Sequence, residues 1–329
     1  PMTGNKLIQH SLKLTHIGLL CTLPLSGYAD YRSELIIAGN HSYQESGTFE
    51  SSQSTDNIHA QLSYFLAPVS TEEVPLGEAA FLSKASSVAL SYNSSERDYG
   101  QGIDTDSSDF GLHINYIAND KYIAGVSYVE GDYDFLPGPF DIADEPRNYL
   151  VSNQTSTNFD FKEYGLELGA YINDTLALTV SATQIDSDQY ADEYATYLLN
   201  LKTVTETYNG NSVAGKFSVG AGEVSGASTV IHIDAAFDYY FNHRLSAGGT
   251  FSLRNPNGEA SQQNTFGVNA AYFITENISI SAQAEMILKN EQRDVEVNSL
   301  DSNNNPVVEI EPLSEGKIET YTLKITGRL

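Results

Sequence analysis

Apolar and polar positions alternate along most of this chain with a period of two. Ile58, Ala60, Leu62, Tyr64 and Leu66 interleave with His59, Gln61, Ser63 and Phe65, and Phe110, Leu112, Ile114 and Tyr116 with Gly111, His113 and Asn115. The stretches from Tyr164 to Ile172 and from Ile278 to Leu288 repeat the pattern, each with carboxylates on its polar side. Successive strand side chains face opposite ways, so the alternation predicts β-strands with one apolar face. Such runs exceed the five or six residues usual in soluble sheets and suit a tilted membrane-crossing strand.

Four times a run ends at an aromatic, turns within a few polar residues and resumes: Ile114–Tyr122, Ala170–Leu176, Tyr239–Leu245 and Ala271–Ile278. Each predicts a tight antiparallel hairpin. Short turns at 118–120, 173–175, 242–243 and 275–277 alternate with long polar connections near 44–56, 94–107, 130–157, 186–196, 255–263 and 290–314. Short turns at one rim and long loops at the other are the asymmetry of outer-membrane barrels. Pro68–Leu82 breaks the rule as a longer connection on the short-turn side. If Leu198–Tyr208 and Val213–Gly222 both span around Asn209-Gly210-Asn211, fourteen strands result; if they form an external hairpin, twelve. The expected fold is an all-β, transmembrane, antiparallel up-and-down β-barrel, with fourteen strands favoured over twelve.

Composition sharpens this picture. Hydrophobic residues make up 40% and mean hydropathy is −0.28, which argues against helical spans, but barrel strands are apolar on one face only. Tyrosine occurs 21 times and tryptophan not at all. Gly, Ser, Thr, Asn and carboxylates on the polar side suit a hydrated lumen, and Tyr and Phe beside the short turns suit an aromatic girdle.

Residues 1–29 read as a cleavable signal peptide. They carry Lys6 and Lys13, an apolar stretch from Ile17 to Leu25, and small residues at Gly27 and Ala29, with the cut expected after Ala29. Residues 30–329 then form the barrel domain. Cys21, the single cysteine, lies in the leader behind Leu20, where a lipoprotein would carry a small residue. The net charge is −26, and loss of the leader leaves 15 basic residues against 43 acidic ones, or −28. Such a surface excludes nucleic acid, whose phosphates need basic partners. Acidic runs at Asp141–Glu145 and Asp186–Asp188 could hold divalent cations that bridge to lipopolysaccharide.

The final alternation, Tyr321, Leu323, Ile325, Gly327 and Leu329, runs to the chain end. It resembles the terminal strand read by barrel assembly machinery, with Leu329 where Phe is usual. Together with Glu78-Ala79-Ala80-Phe81-Leu82-Ser83-Lys84-Ala85-Ser86-Ser87 and the strand end Asp238-Tyr239-Tyr240-Phe241, this strand resembles the porins of gammaproteobacterial outer membranes over most of residues 30–329. The resemblance implies a passive diffusion channel for ions and small hydrophilic solutes, set among outer-membrane lipid and lipopolysaccharide, and a homo-oligomer such as a trimer.

Alternation directs Glu163, Glu167, Asp234, Asp238 and Glu285 inward, with Lys216, His232, Arg254, Lys289 and Lys324. These pore-lining candidates either set a transverse field across a constriction or pair with strand neighbours for stability. The five acids slightly outnumber the four cations Lys216, Arg254, Lys289 and Lys324, which implies weak cation selectivity. The connection Glu130–Thr157 carries Phe135 and Phe140 with Asp141, Asp144, Glu145 and Arg147, and its apolar residues suggest a loop folded partly into the lumen as a constriction. No nucleotide, cofactor or metal motif is present, and no catalytic role is expected. Two other readings stay open: a barrel hydrolase, since His232 lies beside Asp234 among many serines, and a structural or adhesive barrel with a plugged lumen.

Overall fold

The computed structural model describes residues 30–45, 53–98, 104–135, 157–187, 194–224, 229–256, 262–290, 294–300, 306–312 and 316–329. Fourteen strands form the wall: β1 (Asp30–Glu45), β2 (Gln53–Ser70), β3 (Ser87–Asp98), β4 (Asp104–Ala118), β5 (Tyr122–Phe135), β6 (Thr157–Asn173), β7 (Leu176–Ser187), β8 (Tyr194–Glu206), β9 (Ser212–Val224), β10 (Val230–Asn242), β11 (Leu245–Pro256), β12 (Gln262–Thr275), β13 (Ile278–Asn290) and β16 (Gly316–Arg328). Each pairs antiparallel with its neighbours in sequence, and β16 closes the ring between β13 and β1. Full closure leaves no sheet edge unpaired. The two spans in doubt, β8 and β9, both belong to the wall, so fourteen is the count and twelve is set aside.

Several strands run farther than alternation alone suggested. β5 continues to Phe135, where it pairs with Thr157 of β6, so both ends of the expected 130–157 connection are barrel strand. Phe140, Asp141, Asp144, Glu145 and Arg147 lie outside the described residues, as do residues 1–29, the expected signal peptide. The expected connection 290–314 carries a separate hairpin, β14 (Asp294–Leu300) with β15 (Pro306–Pro312).

The short turns follow local side-chain chemistry. Asn119 and Asp120 adopt φ of 53° and 52°, the left-handed pair that a two-residue hairpin turn needs and that Asn and Asp tolerate. At the other three repeats one polar residue caps the turn after a register slip. Asn173 Oδ1 accepts the Thr175 N–H, Asn242 Oδ1 those of Arg244 and Leu245, and Thr275 Oγ1 those of Asn277 and Ile278. The slips fall at Tyr171/Asn173, Tyr240/Asn242 and Phe273/Thr275.

The outer face carries large exposed apolar side chains such as Leu62, Phe110, Leu166, Phe237 and Val268. The aromatic residues at the short-turn rim divide into two sets, which corrects the single girdle expected from sequence. Tyr116, Tyr122, Phe241 and Tyr272 are exposed on the outside, whereas Tyr31, Phe65, Tyr171, Tyr240 and Phe273 are buried within.

Candidate functional site

What the inner aromatics pack against is the exceptional connection between β2 and β3. It folds as a 3-10 turn (Leu76–Glu78) followed by a one-turn helix, α1 (Ala79–Leu82). Val69, Leu76 and Ala79 are fully buried. Tyr31, Phe65, Val69, Ala79 and Ala85 form one apolar cluster; Phe81 and Leu82 pack on a second made of Val204, Ala214 and Tyr240. The segment is tied to the wall at several points around the ring, one of them opposite its own strands. Leu76 N–H donates to the His243 carbonyl (3.0 Å), Tyr171 Oη donates to the Phe81 carbonyl (2.9 Å), and Arg328 Nη2 donates to the Leu76 carbonyl (2.8 Å). Because β10 stands opposite β2 and β3 in the closed order, residues 71–86 cross the short-turn mouth of the barrel.

Charged groups hold this strap. Glu78, buried in the apolar rim, accepts from Lys202 Nζ at 2.6 Å. Lys202 also lies 4.4 Å over the Phe81 ring. Arg328 is only 4% exposed; it pairs with Glu34 at 2.8 Å and lies over the rings of Tyr31 and Phe273. At the rim, Lys84 Nζ reaches Asp174 Oδ1 at 2.7 Å, and this hydrogen bond and charge hold the Asp174 carboxyl below its ordinary range. Alternation could have found Lys202, since Leu199 and Leu201 flank it on the outer face. Arg328 alternates in line with Lys324, which gives it the same signal, whereas Glu78 and Lys84 lie outside the strands and their partners are far away in sequence.

The strand register puts the sequence candidates on the same face as Tyr171 and Tyr240. Glu163 and Glu167 lie on β6, Lys216 on β9, His232, Asp234 and Asp238 on β10, Arg254 on β11, Glu285 on β13 and Lys324 on β16. Lys289 takes the equivalent register position on β13, opposite Gln263 and Gly316. Asp109 of β4 joins this face, opposite Asn93. The candidates are spread around the ring rather than gathered at one point.

Most of the carboxylates are oriented by neutral donors. Ser252 Oγ donates to Asp234 (2.6 Å), Asn269 Nδ2 to Asp238 (2.6 Å), Gln283 Nε2 to Glu285 (2.6 Å) and Asn93 Nδ2 to Asp109 (3.0 Å). Neutral donors fix a carboxylate without cancelling its charge. The Ser252 hydroxyl therefore serves Asp234, not His232. His232 itself sits opposite Arg254.

No curated protein matches the sequence. Among solved structures, the outer membrane protein Omp33 of Acinetobacter baumannii is similar with 16% identity and a TM-score of 0.54, covering 92% of this chain and 99% of that one. A FadL homologue of Pseudomonas aeruginosa aligns with 9% identity and a TM-score of 0.51, covering 90% of each chain. At these identities the likeness concerns the fold. A family model described as "Putative general bacterial porin" matches residues 33–299, most of the barrel, and the chain belongs to that porin family.

Proposed function

We propose that this protein is an outer-membrane porin: a passive diffusion channel for ions and small hydrophilic solutes, weakly cation-selective and narrowed at its periplasmic mouth by residues 71–86. The short-turn rim is the periplasmic one in barrels of this class. In this reading residues 1–29 are removed on export, so the mature protein begins at Asp30. The observation that carries the reading is the inner face, where Asp109, Asp234, Asp238 and Glu285 are held by amides and hydroxyls, donors that bring no compensating charge. Fixed negative charge raises the local cation concentration over about 8 Å at physiological salt, so the preference is modest and strongest in dilute salt.

The reversal potential of the purified protein in a KCl gradient tests this directly. Cation preference that weakens as salt rises supports it; anion preference in dilute salt overturns it and assigns the field to Lys216, Arg254 and Lys324. The strap also favours a second reading, a structural barrel closed at one end. That reading requires the folded protein to carry no current even when the strap is released.

A further inference from the structure

Lys202 of β8 and Lys216 of β9 sit directly opposite each other on one rung, both facing inward. Like charges in that position repel. The strap supplies one carboxylate, Glu78, and places it on Lys202. No carboxylate among the described residues pairs with Lys216, so the rung is one anion short. Above the strap lies a cavity of about 300 Å³, lined by both lysines, Phe81, Asn200, Ser218 and Glu167. At roughly 30 Å³ per water, that space takes roughly ten waters or a solute of a few carbons. Ser218 stands opposite Asn200 and offers a hydroxyl for a second oxygen. Glu167 adds a negative charge to the same cavity, which disfavours a dianion.

We propose that the Lys202–Lys216 rung is a binding subsite for small monocarboxylate solutes, occupied at rest by the strap's own Glu78, and that such a solute competes with Glu78 and loosens the strap. The proposal rests on the channel reading for its purpose, but not for its physical test. A solute that pairs with both lysines only after Glu78 has left binds the released state better than the docked one, so it shifts the population toward release. The strap's anchor is then also a recognition site. A passing carboxylate opens the route for itself, whereas a neutral solute of the same size does not.

The proposed mature chain, beginning at Asp30, has no cysteine, because Cys21 is the sequence's one cysteine. Ala79→Cys therefore places a single thiol at a fully buried strap position, and its rate of modification in the folded, detergent-solubilised barrel reports undocking. Propionate at its dissociation constant should raise that rate about twofold, propionamide should leave it unchanged, and Lys216→Gln should abolish the response. Glu78→Gln, which keeps the size of the side chain, should label fast with or without propionate. Equal effects of propionate and propionamide, or an undiminished response in Lys216→Gln, would overturn the subsite. Parallel KCl recordings separate the two readings: a labelling response without current rejects the channel and keeps the subsite, and current without a labelling response does the reverse.

Discussion

Gly77 lies so close to Tyr240 that a Cβ there would run into the phenolic oxygen. The residue is small because the strap must approach the wall at that point, one position before its anchoring carboxylate. Gly77→Ala should push the strap off β10 and raise single-channel conductance without disturbing the wall; unchanged conductance would show that the strap does not limit flow. Arg328 makes a second residue-level prediction. It is buried, paired with Glu34 and bonded to the Leu76 carbonyl, so Arg328→Ala leaves the part-buried Glu34 carboxylate and the Leu76 carbonyl without this partner and costs about 2 kcal/mol. Urea unfolding of the detergent-solubilised barrel checks this, and a cost near zero would mean that Glu34 finds water instead. How legible these residues are in sequence depends on distance along the chain. Asp234, Asp238 and Glu285 could be assigned to a face from their neighbours alone. Glu78 could not, since its partner Lys202 comes many residues later and nothing local marks the pairing.

The hairpin turn explains why the strands were easier to read than the strap. At Asn173, Asn242 and Thr275 one side-chain oxygen takes the orphaned N–H groups of the turn, and the register slip just before it keeps Tyr171, Tyr240 and Phe273 on the inner face. Asn242→Ala removes two such bonds and should cost about 1–2 kcal/mol in the same unfolding measurement. Local chemistry of this kind repeats and can be recognised; the side of the wall on which an aromatic packs depends on what fills the mouth, so sequence alone assigns the inner aromatics to the girdle. The strap's rim tether responds to pH. Lys84 holds the Asp174 carboxyl below its ordinary range, so the tether contributes above that range and is lost as pH falls through the lowered value. Acidification should therefore increase labelling of the buried strap thiol in the wild-type background. In Asp174→Asn that increment should already be present at neutral pH; an identical acid response in both would assign it to other groups.

At the scale of the whole molecule, closure of fourteen strands puts an apolar face outside and a polar one inside, and the chain's alternation foretold both. Strand ends were the less legible part, because near the long-loop rim both faces become polar and the period of two fades from hydropathy while the backbone pairing continues, as from Glu130 to Phe135. The charge balance has a consequence of its own. Neutralising Glu163, Glu167, Asp234 and Asp238 together should reduce cation preference in dilute salt while leaving the fold intact, since none of the four stands opposite a base on a neighbouring strand. The most direct test of the porin reading is single-channel recording of the purified, folded protein in planar bilayers, wild type beside Gly77→Ala. Discrete current steps in the wild type, larger in the variant, are the expected result. Folded protein that inserts and yet gives no steps in either form would contradict it, and would make the barrel a closed structural element of the membrane.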